Sequence, residues 1–220
     1  MRRANRSLLL ALTLAATGLA GCATKGDLVT EGDLGIVALR TTCPSVAVPE
    51  YTGDVTLFSA PGRSDAGAID VVASLTNVRS QCSESNTGDK VYSQASFDVL
   101  ARRSDTRGAR RVELPYFVSV VRGGSAVVSK RVGTVAIDFA DGQERAQGRG
   151  QAAAYIDRAE ATLPADIRQR ITRKRKPGKE EAAIDPLTEP DVRAALARAS
   201  FELLLGFQLD ERQLAYNATR

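Results

Sequence analysis

Three sulfur atoms carry most of the chemistry open to this chain. Cysteine occurs only at Cys22, Cys43 and Cys82, and neither histidine nor tryptophan occurs anywhere in the 220 residues. A thiolate is a far stronger nucleophile than a hydroxyl, so Cys22 can form a thioether where serine could not. The zero count of histidine removes Ser-His-Asp and Cys-His catalysis, and with them His-ligated zinc or haem. Cys43 and Cys82 alone cannot complete the tetrahedral shell of a zinc site. Carboxylate pairs or a Ser-Lys pair stay open, but no spacing marks either. The residues read as a protein without catalytic machinery, cofactor or metal.

The stretch before Cys22 accounts for its placement. Arg2, Arg3 and Arg6 precede a run from Ser7 to Ala20 that is almost wholly apolar, and the first acid is Asp27. A basic head, a short apolar body and a small-residue exit form the secretory-signal pattern. That body is well short of the roughly 20 residues a bilayer-spanning helix needs. Its exit, Leu19-Ala20-Gly21-Cys22, resembles the lipobox of bacterial lipoproteins. The resemblance covers the signal region alone. It implies a diacylglyceryl thioether on Cys22, cleavage before it, and fatty acylation (palmitate is typical) of the new amino terminus. Each buried acyl methylene is worth about 0.8 kcal/mol, so two or more chains hold firmly. It also implies, from Ala23 in place of an aspartate, the outer membrane facing the periplasm rather than the inner membrane.

Residues 1–21 are thus expected to be a signal peptide and residues 22–42 a lipidated tether. The tether holds Lys25-Gly26-Asp27 and Glu31-Gly32-Asp33, both turn-prone. Its apolar patch from Ile36 to Leu39 could form a first strand or dock on the domain. Export also sets the reading of the other cysteines. An even pair in an oxidising compartment predicts a Cys43–Cys82 disulfide. Closing a loop of that length stabilises by roughly 4 kcal/mol through lost chain entropy.

Charge excludes one partner class. Three of the four net positive charges sit in the signal, which leaves about +1 on the mature side chains. Nucleic acid is therefore not an expected partner. Within the remainder, residues 166–181 hold seven cations against Asp166, Glu180 and Glu181. The core of that run, Arg173, Lys174, Arg175 and Lys176, could touch anionic headgroups or polyanionic envelope polymers. A solvated linker is the simpler reading.

The elements that must position these residues follow from periodicity. Ile69, Val71, Ala73 and Leu75 alternate with more polar residues, as do Val91, Ser93, Ala95, Phe97 and Val99. Val112 to Val121 and Ala126 to Val132 flank Arg122-Gly123-Gly124-Ser125, a hairpin signal. Val135, Ile137 and Phe139 alternate before the Asp141-Gly142 turn, and Gln151 to Ile156 supplies a last strand. The expected fold is mainly β with C-terminal helices. Residues 43–157 would form an antiparallel immunoglobulin-like β-sandwich, with a small β-barrel as the alternative. Residues 158–220 would form the basic linker and helical tail. Ile167 and Ile171 share a face of one helix. A second is expected from a Thr188 cap to Gly206, with Val192, Ala195, Leu196, Ala199, Leu203 and Phe207 as its apolar stripe. Asp210 would cap a last turn.

Two motif-like strings carry little weight. Gly148-Arg149-Gly150-Gln151-Ala152-Ala153 has the lettering of a dinucleotide loop without its strand–turn–helix context. Asp138, Asp141 and Gly142 offer too few oxygens for calcium. The sequence therefore points to a lipid-anchored envelope protein, non-enzymatic, that binds another protein or a cell-surface polymer. A structural subunit of an outer-membrane assembly is the next reading. A periplasmic hydrolase using carboxylates or Ser-Lys comes third.

Overall fold

In the computed structural model of the chain, the described residues are 41–83, 88–173 and 185–220. The segment expected to be a signal peptide, the expected lipid site Cys22, the expected tether through residue 40 and Lys174, Arg175 and Lys176 lie outside them.

Among the described residues eight strands dominate: β1 (Ser45–Ala47), β2 (Asp54–Phe58), β3 (Ile69–Ser83), β4 (Lys90–Arg103), β5 (Arg110–Arg122), β6 (Ala126–Phe139), β7 (Arg145–Asp157) and β8 (Phe201–Phe207). Helices α1 (Arg158–Ala161), α2 (Ala165–Thr172) and α3 (Pro190–Ala199) lie between β7 and β8, and α4 (Glu211–Thr219) follows β8. One sheet runs β2-β3-β4-β7 and the other β1-β8-β5-β6. The short β1–β8 ladder is parallel, and the other ladders are antiparallel. One of the sheets curls into a half-barrel.

The strand periodicity is realised most fully in β4, where Val91, Ser93, Ala95, Phe97, Val99, Ala101 and Arg103 are all buried. Of these, Ala95, Phe97, Val99 and Ala101 meet Val71 and Ala73 of β3 and, from the other sheet, Leu114, Val135, Ile137, Phe139, Leu203 and Leu205 in one apolar core. The β5–β6 hairpin turns at Gly123 and Gly124, whose φ values of 62° and 77° suit glycine and strain other residues.

Arg103, at the end of the buried row on β4, is 1 % exposed. Its guanidinium donates to the carbonyls of Gln143 (2.8 Å), Gly108 (2.9 Å), Thr106 (2.8 Å) and Ala140 (2.8 Å). It also lies 5.2 Å from the centre of the Phe139 ring. Five donors in a rigid fork let one arginine satisfy carbonyls from two turns at once, which lysine could not. Gly142 follows in the β6–β7 turn, and Asp141 accepts from the Gly108 N–H at 2.6 Å. Asp138 faces Arg111 at 3.2 Å. These carboxylates tie turns and strands together.

The tail departs from expectation. The single helix expected from Thr188 to Gly206 divides into α3 and β8. Apolar spacing is helical at Val192, Ala195 and Ala199, all buried, but Phe201, Leu203, Leu205 and Phe207 are buried at every second position. A step of four residues satisfies both periods, so Leu203 and Phe207 extend a helical stripe on paper while belonging to a strand. Ser200 has an extended backbone, and its hydroxyl donates to the Leu196 carbonyl, closing the helix end. Thr188 is not the cap. Asp185 caps a 3-10 turn at Pro186–Thr188, and Glu189 precedes α3 without a side-chain cap bond. The α3 stripe packs on the helix carrying Ile167 and Ile171, in a second apolar cluster with Leu163. Asp210 caps α4 in a reciprocal capping box with Gln213, as its position suggested.

Candidate binding seam

The edge strands β6 and β7 belong to different sheets and are joined by the turn at 140–144. Among the described residues β6 pairs only with β5, and β7 only with β4. Both therefore present a free side to the seam between the sheets.

Near the turn the seam is shut. A Cβ on Gly148 would lie 2.6 Å from the Ala136 carbonyl oxygen and 2.7 Å from Ile137 Cδ1, so glycine is what lets β7 press against β6. A Cβ on Gly150 would lie 2.1 Å from the Phe97 ring, so the missing side chain makes room for a core aromatic. The two glycines of the dinucleotide-like string are packing residues inside a strand. One step further along, Tyr116 of β5 reaches across the seam. Its ring passes over Gly133, where a Cβ would approach to 2.7 Å. Its hydroxyl donates to the Gln151 carbonyl at 2.7 Å. Phe97 braces that ring edge-on at a centroid distance of 5.0 Å.

Beyond this bar the strands diverge and leave a cavity of 420 Å³. Val118 and Val120 form its floor, Ser129 and Arg131 stand on the β6 wall, and Ala152 and Ala154 on the β7 wall. The first seven residues of β6 are exposed on both faces. Val127 is 64 % exposed, Val128 56 %, Val132 58 % and Tyr155 69 %. Apolar residues gathered at an unpaired strand edge are a feature that soluble proteins otherwise suppress. Arg131 is the one charged residue lining the cavity, while Lys130 lies over the Phe117 ring at 5.1 Å.

Cys43 and Cys82 do join in a disulfide, with Cα atoms 6.0 Å apart. Cys43 precedes β1 and Cys82 lies in β3, so the bridge ties the two sheets together on the side away from the seam. Arg173 is exposed just after α2, and the rest of its basic run lies outside the described residues. Residues of the seam escaped the sequence reading as a site. The available signal was the run from Ala126 to Val132, which does not alternate as a half-buried strand should.

A larger cleft of 790 Å³ runs between β2 and α4, but most of its charged groups are already engaged: Asp210 caps α4, and two of its arginines are ion-paired. Arg63 pairs with Asp65 and Arg110 with Asp70, each at 2.7 Å. The hydrogen bond from Arg63 holds the Asp65 carboxyl below its ordinary pKa. Among the described residues no three His, Cys, Asp or Glu side chains gather as a metal site would require, and no helix is long and apolar enough to cross a membrane. Comparison of the chain with family models, with curated proteins and with solved structures found no match.

Proposed function

We propose that this chain is a lipid-anchored protein of the bacterial envelope, without catalytic activity, that binds another protein through the seam between β6 and β7. The observation that carries the reading is the seam-side edge of β6, with Val127, Val128 and Val132 exposed beside an unpaired backbone. An edge of that kind matches a polypeptide, which can supply both apolar side chains and hydrogen bonds. A polyanionic polymer would instead seek the basic run at Arg173, Lys174, Arg175 and Lys176. A subunit that docked into an outer-membrane assembly through its helical tail would need an exposed apolar face there, and α2 covers that of α3.

The two facing sheets with one core between them support a sandwich of immunoglobulin-like layering. Partial closure along the β6–β7 side brings in some character of a small barrel. Anchoring through Cys22, in the outer membrane facing the periplasm, rests on the lipobox resemblance. Cys22→Ala should then leave an uncleaved or soluble precursor, read by membrane fractionation and mass spectrometry; an unmodified amino terminus on the wild-type protein would end the anchoring proposal. Binding is tested by a photo-cross-linking residue at Val132, with exposed Arg193 on α3 as the control position. Discrete adducts in intact envelopes from Val132 and none from Arg193 are expected. Equal or absent labelling from both would remove the seam as the binding site.

A further inference from the structure

Resting on the seam reading just given, we propose that the seam binds its partner by strand addition. The occupant is an extended segment of another protein, apolar at alternate positions and carrying a carboxylate that meets Arg131. It pairs with β6 along Ala126–Val132 and lays its apolar side chains over Val118 and Val120.

Four observations support this mode and this chemistry. First, β6 is the better of the two edges. On β7 the Gln151 carbonyl is already taken by the Tyr116 hydroxyl, whereas β6 has a ladder on its β5 side only. Second, the length suits a short segment: seven residues of strand span about 23 Å at roughly 3.3 Å each. Third, the site has a built end. The Tyr116 bar over Gly133 stops an added strand from running on towards Gly148, where the two walls touch. Fourth, the charge is one-sided. Arg131 lines the seam and no carboxylate lines it. An acidic group on the incoming strand completes a cross-strand pair, and a basic one is repelled.

The same charges argue against the simplest competitor, a second copy of this chain. Antiparallel pairing of β6 with its own image would crowd four cations, two Lys130 and two Arg131, onto a ladder of seven residues. Like charges across a ladder are unfavourable, and basic residues on an edge are a common guard against self-pairing.

The test is hydrogen exchange on the full lipidated protein in detergent, alone and with two synthetic peptides. One is Val-Thr-Glu-Thr-Val-Thr, which puts its glutamate on the same face as its valines, as Arg131 shares a face with Val118 and Val120, and the other has lysine in place of glutamate. Expected is slowing of amide exchange across Ser129–Val132 by the acidic peptide, with binding on the order of tenfold weaker for the basic one. Arg131→Glu, a change at an exposed position, should reverse that preference, and Arg131→Gln should abolish it. Four results would overturn the proposal. Equal binding of both peptides removes the acidic requirement. Binding without slower exchange in β6 removes strand addition, and both of these leave the Val132 cross-links, and so the seam reading, standing. Amides already slow in the protein alone would mean that the chain or a second copy fills the seam. No peptide binding together with no cross-links would remove the seam reading as well.

Discussion

At the scale of single residues, two side-chain environments in this molecule contradict ordinary preferences. Arg103 is buried yet donates its hydrogen bonds to backbone carbonyls of two turns rather than to an acid. Hydrogen bonds to a charged group contribute about 1.5–3 kcal/mol each, but water can replace part of that once the arginine is gone. Arg103→Met should therefore lower stability by about 3 kcal/mol, and Arg103→Lys by less, since the charge stays but the fork does not. Urea denaturation with an unchanged slope would read both. Gly150 is the second case. Strand propensity alone says that alanine should improve a strand by about 0.5–1 kcal/mol over glycine. Here the added Cβ would sit 2.1 Å from the Phe97 ring, so the sign reverses. Gly150→Ala should cost about 1–3 kcal/mol through overpacking. Phe97→Leu in that background should be milder than in the wild type, and a double-mutant cycle measures the difference. Additive effects would show that the ring does not set the requirement for glycine.

At the scale of elements, the disulfide and the seam lie on opposite sides of the same pair of sheets. The bridge joins the residues just before β1 to β3, while β7 meets the other sheet through the turn from β6, through packing and through the Tyr116 hydroxyl of β5. Losing the bridge should cost roughly 4 kcal/mol for a loop of 39 residues. A thermal melt with and without reductant reads this. Cys43→Ser and Cys82→Ser should each melt like the reduced protein, and the double variant no lower than either single one, because one bond is lost in all three. The parts of this architecture that could be read ahead of the structure are those in which one face is buried. From Val91 to Val99 each inward residue declares the strand, and the two glycines after Arg122 declare the hairpin. The start of β6 could not be placed in the same way, since neither of its faces is buried and its residues follow no period. The disulfide followed from the compartment implied by the first twenty-two residues, not from local pattern. Ser200 is where the tail misled: a serine between two apolar runs is weak punctuation, and the switch from helix to strand depends on β1 and β5, whose residues are about 150 and 80 positions away.

At the scale of the whole molecule, β8 decides whether the C-terminal region is an appendage or part of the fold. It lies between β1 and β5, pairing Phe201–Phe207 with Tyr116–Arg122 on one side and Glu202–Leu204 with Ser45–Ala47 on the other. Phe201, Leu203, Leu205 and Phe207 enter the main core from it. Large apolar side chains contribute about 1.5–3 kcal/mol each when fully buried, so these four together approach the whole stability of an ordinary domain, about 5–15 kcal/mol. A chain ending at Ala199 should therefore show no cooperative urea transition by far-UV circular dichroism. A chain ending at Leu209 keeps β8 and loses only α4. The losses there include the two hydrogen bonds from the Asn217 amide to the carbonyls of Tyr51 and Asp54 (2.7 and 2.8 Å), the Arg220–Asp54 ion pair at 2.9 Å and the edge contact of Tyr216 with Phe58 at 5.2 Å. Those interactions are worth about 2–4 kcal/mol together, which leaves a folded domain with an earlier midpoint. The contrast between the two truncations carries the argument: if both unfolded, α4 would be as necessary as the central strand, and if both folded, β8 could not hold the two halves of its sheet together.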